Sequence, residues 1–191
     1  QLPSDYFDYV VIDEFHHAEA ASYQKVLEKL NPKFMLGLTA TPERMDGRDV
    51  LRFCDYDIAY ETRLWDAIEK QWLVPFHYYA IYDPTDYSQL KWTHQGYVEH
   101  ELEQVLSHDT RAERIIGNLK LFLPSSGKIK ALAFCSSRNH ALYMDKKFNE
   151  YSFHSLTILG DTPVKEREEA IQDLQDETHS LQIICSVDVF A

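Results

Sequence analysis

Basic residues are scarce in this sequence: 19 of 191 are lysine or arginine against 31 aspartate or glutamate, a formal net charge of −12. A chain that grips phosphate backbones over a wide area presents a basic surface, so this balance excludes an extended basic stripe. Any contact with nucleic acid is then few and local, or belongs to basic parts outside these residues. Cysteine is also rare. Cys54, Cys135 and Cys185 are odd in number and sit in apolar contexts, which favours reduced core thiols in a cytoplasmic protein over disulfides or a zinc site. No apolar run approaches membrane-spanning length, so no membrane partner is expected. The 6 glycines never fall in a Gly-x-x-x-x-Gly-Lys-Ser/Thr arrangement, so the loop that cradles a triphosphate is not among these residues. The first residue is not Met and no signal-peptide pattern follows it, so the sequence reads as an excised fragment.

What is present is an α/β pattern. Apolar residues make up 45% and aromatics 13%, enough for a real core in one large domain or two small ones. Asp8-Tyr-Val-Val-Ile-Asp-Glu-Phe-His-His17 is a β-branched run that ends abruptly in two carboxylates and two imidazoles. Val10, Val11 and Ile12 suit a strand buried on both faces of a parallel sheet. Asp13 and Glu14 then stand at its carboxyl end, where open α/β sheets place their ligands. A carboxylate pair there can hold a hydrated metal with one member and accept a proton with the other. The competing possibility is that either acid only caps the following helix, Ala18 to Leu30, which Pro32 stops. Phe34 to Arg44 repeats the theme, an apolar strand running into Thr39-Ala40-Thr41. Two such strand ends joined through one helix form a βαβ unit with its polar tips side by side.

Further along, Tyr56–Tyr60 reads as another strand of the first sheet and Leu64–Trp72 as a helix with Leu64, Ala67, Ile68 and Trp72 on one face. Phe76–Tyr82 reads as an aromatic strand closed by Asp83-Pro84. Helices are expected over 97–106 and 111–123. Six histidines, His16, His17, His77, His94, His100 and His108, tempt a metal reading, but their spacing matches no compact zinc pattern. Ala131–Cys135 is a strand passing through Ser136 and Ser137 into a helix. Either serine can cap that helix, and its N-terminal amides suit a phosphate. A strand over 152–159 leads to Thr162 as cap, Pro163 as first helical residue and Glu166 as capping-box partner. The last strand begins at Leu181 and reaches Ser186 and Asp188.

Asp13-Glu14-Phe15-His16 resembles the Walker B motif (motif II) of superfamily 2 helicases of the DEAD/DEAH kind, and Thr39-Ala40-Thr41-Pro42 resembles their motif III. The tail Pro42-Glu43-Arg44-Met45-Asp46-Gly47 is similar to the branch related to type III restriction enzyme helicase subunits. Ser136 to Arg138 looks like motif IV, Gly160-Asp161-Thr162 with Arg167 like the segment after it, and Ser186 to Asp188 like the opening of motif V.

The resemblance implies a P-loop NTPase helicase architecture of two RecA-like lobes with parallel sheets, residues 1–72 ending a truncated first lobe and 73–191 forming most of a second. It implies ATP and Mg²⁺ as cofactors, with Asp13 holding the metal through water, Glu14 orienting or deprotonating the attacking water and His16 relaying the nucleotide state. Thr39, Ala40 and Thr41 would couple that state to the second lobe. Ser136, Arg138 and Ser186 would lie along the nucleic-acid path and Asp188 in the cleft. The partner expected is nucleic acid, DNA in the first place, with a nuclease or other domains in the parent chain. A helicase motor also needs its P-loop lysine and an arginine finger. Both are missing here, so the fragment alone is expected to be inactive, and its truncated sheet leaves an edge through which it could dimerise. Two other readings compete: a degenerate helicase-like interaction module without turnover, and a metal-dependent hydrolase built on Asp13, Glu14 and the histidines.

Overall fold

The computed structural model describes residues 3–18, 20–41, 50–93, 96–122 and 129–187. The chain divides into two compact units, Gln1–His77 and Tyr78–Ala191. In the first, β1 (Tyr9–Ile12) and β2 (Phe34–Gly37) run parallel, with Tyr9 opposite Phe34 and Ile12 opposite Gly37. Parallel neighbours require a crossover, and the chain supplies it through a 3-10 turn (Phe15–His17) and α1 (Ala21–Leu27). Phe15, Ala18 and Val50 form the buried centre, with Ile12, Leu27, Met35, Phe53 and Cys54 packed around them. A second 3-10 turn (Leu51–Cys54) and α2 (Leu64–Glu69) complete the unit.

The second unit opens with a minimal antiparallel pair, β3 (Trp92–Thr93) and β4 (Gly96–Tyr97), followed by α3 (Glu99–Leu106) and α4 (Asp109–Leu121). It then alternates β5 (Ala131–Phe134), α5 (Arg138–Glu150), β6 (Ser155–Ile158), α6 (Val164–Gln175) and β7 (Ile183–Ser186). The three strands form one parallel sheet in the order β5-β7-β6. All four residues of the central strand β7 are buried, as the unbroken apolar run Ile183-Ile184-Cys185 demands of a strand covered on both faces. Cys185 and Ile183 face Ala112, Ile116, Ala141, Met144 and Phe148 of α4 and α5. Ile184 faces Ala170 of α6. Asp145 of α5 ties that helix to the edge strand, accepting hydrogen bonds from Ser155 Oγ and Thr157 Oγ1.

Several expected elements differ. Tyr56–Tyr60 and Phe76–Tyr82 form no strand: Tyr56 takes a positive φ of 62° and turns back, its N–H donating to Leu51 O at 3.0 Å, Phe76–Tyr82 joins no ladder, and Tyr60, Tyr78 and Tyr82 lie in solvent. Alternation of aromatics is a necessary sign of a strand but pairing makes one, and among the described residues neither stretch pairs into a sheet. The helix expected over Ala18–Leu30 is shortened at its start by the 3-10 turn. That over Leu64–Trp72 ends early because Gln71 takes a positive φ of 60°, and the N–H groups of Trp72 and Leu73 both return to Ala67 O. Thr162 is not the cap of α6. The helix starts one residue later, with Pro163 before its first turn and no side-chain cap bond. Thr162 Oγ1 instead accepts from Leu159 N–H at 2.9 Å and closes the strand-to-helix turn. Among the described residues no helix is long and apolar enough to cross a membrane.

Candidate active site

Because β1 and β2 are parallel, both chains leave the sheet on the same side, and the hydrogen-bond ladder continues past the strands. Leu38 N–H donates to Ile12 O at 2.9 Å and Phe15 N–H to Leu38 O at 2.8 Å. Between these bonds Asp13 and Glu14 must turn sharply. Glu14 does so in the left-handed region, φ 49° and ψ 46°, a conformation that costs a non-glycine residue on the order of 1 kcal/mol. The turn sends the Phe15 ring down into the core, 3% exposed, while Asp13, Glu14 and His16 stay on the rim. Asp13 Oδ1 accepts from the N–H of Glu14 at 2.9 Å.

His16 joins the two strand ends. Its Nδ1 lies 3.0 Å from Thr39 Oγ1 and 3.2 Å from Glu14 Oε2. Thr39 Oγ1 also accepts from the N–H of Thr41 at 3.1 Å, across Ala40. A carboxylate oxygen accepts but never donates, so the Glu14 contact requires the proton on His16 Nδ1. His16 Nδ1 thus lies within reach of both Glu14 Oε2 and Thr39 Oγ1. Glu14 remains largely open to solvent while the His16 side chain is 24% exposed, so the carboxylate can meet a ligand and the imidazole is held behind it. Of the expected residues, Asp13, Glu14, His16, Thr39, Ala40 and Thr41 therefore come together on one rim. Pro42–Gly47 lie outside the described residues.

Among the described residues no group of three or more His, Cys, Asp or Glu side chains converges to hold a metal ion. Asp13 could hold Mg²⁺ only with water and ligand oxygens filling the remaining positions, which is the coordination this ion favours. Of the six histidines, His94 lies outside the described residues.

The second unit has its own rim at the carboxyl ends of β5 and β6. Ser137 caps α5, its Oγ accepting from His140 N–H at 3.1 Å, and it donates to Glu103 Oε2 at 3.0 Å. Asn139 Nδ2 also donates to the Glu103 carboxylate. Glu103 thus brings a negative charge from α3 to the positive end of α5, whose own first turn carries no acid. Arg138 is exposed and donates from Nη1 to Asp161 Oδ2 at 2.8 Å. That guanidinium holds the Asp161 carboxyl below the usual range. Ser136 is exposed beside them. Ser186 is different: it is fully buried in the central strand, and its hydroxyl has no hydrogen-bond partner. As folded here it offers no surface to a nucleic acid. Asp188 lies outside the described residues. The pairings of Glu103 with Ser137 and of Asp161 with Arg138 bridge elements 34 and 23 residues apart, and no local pattern announces them.

His140 sits beneath this rim, 6% exposed. Ser136 N–H donates to its Nδ1 at 3.3 Å, which leaves the ring proton on Nε2, a buried atom with no partner. Burial, helped by the nearby Arg111 charge and opposed by Glu103, lowers its pKa from 6.5 to about 4. The fold therefore prefers the neutral ring. The stability this contributes is complete above pH 6.5 and is lost as pH falls toward about 4, on the order of 3 kcal/mol in all. Urea unfolding at pH 7 and at pH 4.5 should reveal the loss, and His140→Phe should flatten that part of the slope. An unchanged slope in the variant would refute the assignment.

Residues 1–44 match the family model of the type III restriction enzyme, res subunit. A 51.5 kDa protein of a Lactococcus phage is 27% identical over 183 residues, 95% of this chain and 38% of that protein. A Schizosaccharomyces pombe protein provisionally named mitochondrial ATP-dependent helicase irc3 is 26% identical over 95% of this chain and 30% of its own length. The type I restriction enzyme EcoAI endonuclease subunit of Escherichia coli is 24% identical over 74% of this chain and 19% of its own. The chain spans less than two fifths of each of these relatives. Together, matches and motifs support a superfamily 2 helicase-like chain, and its parallel-sheet α/β units are consistent with the RecA-like fold.

Proposed function

We propose that this chain contributes part of the motor of an ATP-dependent nucleic-acid helicase or translocase acting on DNA. Residues 1–72 would end its first RecA-like lobe and 73–191 begin its second. The observation that carries this reading is the place of His16 Nδ1, hydrogen-bonded to Thr39 Oγ1 at 3.0 Å and 3.2 Å from Glu14 Oε2, which joins the acidic pair to the neighbouring strand end. A carboxylate that takes a proton from an attacking water, and that is itself tied to a hydroxyl on a separate strand, can report hydrolysis to whatever that strand's loop touches.

In this mechanism Asp13 would hold Mg²⁺ through water, and such an ion would supply charge neutralisation on the transferring phosphoryl group. Glu14 orients or deprotonates the water. His16 keeps the Glu14 carboxylate directed outward and passes its displacement to Thr39, and through the Thr41 N–H to the following loop. Ser136 and Arg138 would meet the nucleic-acid backbone, with Arg138 exchanging Asp161 for a phosphate. The relatives' names, an ATP-dependent helicase and restriction enzyme subunits, support nuclease or other domains in the longer protein.

Without a Gly-x-x-x-x-Gly-Lys-Ser/Thr loop these 191 residues would bind nucleotide weakly and turn it over at background rate, and an edge of the two-stranded β1-β2 sheet would favour self-association. The test is an ATPase assay of the natural protein that carries this sequence, with single-stranded DNA, duplex DNA and RNA, beside the 191-residue chain alone. DNA-stimulated turnover by the longer protein is the expected result. Absence of any nucleic-acid-dependent turnover by the longer protein would leave a non-catalytic interaction module.

A further inference from the structure

His17 has no part in the link just described, yet its ring is placed against it. The His17 centroid lies 4.1 Å from that of His16, with the two planes inclined at 45°. Successive side chains on a 3-10 turn point about 120° apart, so neighbouring rings meet only when one folds back over the other. Among the described residues the His17 side chain forms no hydrogen bond or ion pair. It is exposed, and lying against one partner costs it rotamer freedom.

The His16 ring has a demanding position. His16 Nδ1 must stay within reach of both Thr39 Oγ1 at 3.0 Å and Glu14 Oε2 at 3.2 Å, and rotation of the imidazole about its terminal torsion would break both. That torsion is soft. We propose that His17 is a positioning residue whose ring packs on the His16 imidazole and keeps Nδ1 aimed at Thr39 and Glu14. The consequence for turnover rests on the ATPase reading above, whereas the consequence for geometry does not.

Two measurements test it. In the 191-residue chain, nuclear Overhauser contacts between the His16 ring and the Thr39 methyl group are expected in the wild type and in His17→Phe, and are expected to weaken severalfold in His17→Ala. In the natural protein, His17→Ala should lower kcat for ATP about tenfold with KM for ATP unchanged, as small misplacements at a reacting centre do. His17→Phe should restore it, because a flat ring suffices for packing while a proton carrier or hydrogen-bond donor would be lost. Unfolding curves that match the wild type exclude a general loss of fold. Full contacts in His17→Ala, or failure of His17→Phe to restore them, overturn the proposal whatever the ATPase does. If the natural protein shows no nucleic-acid-dependent ATP turnover, the ATPase reading fails instead, and the contact measurement alone decides the role of His17.

Discussion

Glu14→Gln in the natural protein is expected to lower nucleic-acid-stimulated ATP turnover by about 10²–10⁴-fold, the range general-base removal commonly costs. The substitution is informative because it is nearly isosteric at a strained position. Glu14 already occupies the left-handed region, and Gln keeps the same backbone demand and an Oε1 that can still accept from His16 Nδ1–H. What it loses is the capacity to take a proton. Affinity for DNA and for nucleotide should therefore change little, and the deficit should lie in kcat. Turnover at the wild-type rate in the presence of DNA would remove Glu14 from the role of base, and with it the coupling through His16 and Thr39. A fall in both turnover and folding stability would point instead to a structural use of the carboxylate, which an unfolding curve separates.

The sequence made the first rim legible because the information is local and repeated. A β-branched run that stops at Asp13-Glu14 and a second that stops at Thr39 fix two strand ends. Parallel pairing then brings the ends together without further assumption. That Ser136 or Ser137 caps α5 was legible for the same reason, since a cap acts within one turn, and the fold selects Ser137. Long-range partners were not. Glu103 meets Ser137, and Arg138 meets Asp161, only once α3, α5 and the loop after β6 have packed. The aromatic stretches at Tyr56–Tyr60 and Phe76–Tyr82 misled because their periodicity is that of strands, while pairing depends on neighbours the stretch itself does not name. Ser186 misled differently: a hydroxyl at the end of an apolar run reads as a rim residue, but β7 is central and the strand is covered up to and including that position. Nor did the residue types disclose why position 37 must be glycine.

Gly37→Ala should be among the most damaging single-methyl changes in the molecule. A Cβ at this position would lie 2.5 Å from Phe15 Cγ, 2.6 Å from Cδ1 and 2.9 Å from Cδ2, well inside any tolerable contact. The aromatic ring cannot simply yield. Phe15 is buried, its ring packs edge-on against Phe53 with centroids 6.4 Å apart, and its N–H is tied to Leu38 O, one residue beyond Gly37. Overpacking of this kind costs about 1–3 kcal/mol. It also acts on function, because Phe15 lies between Glu14 and His16 in the chain: a ring pushed away from β2 carries the Glu14 turn and the His16 imidazole with it and lengthens the bond to Thr39. Gly117 supplies the control. It lies within α4, and a Cβ there meets nothing within 4 Å, so Gly117→Ala should stabilise by roughly 0.5–1 kcal/mol through helix propensity. Urea unfolding of the two variants should thus move in opposite directions, Gly37→Ala with a lowered midpoint and Gly117→Ala with a raised one. A Gly37→Ala protein as stable as the wild type, with the His16 to Thr39 contact intact, would mean that Phe15 does not fill the space beside β2 and that the turn carrying Asp13 and Glu14 is anchored by something else.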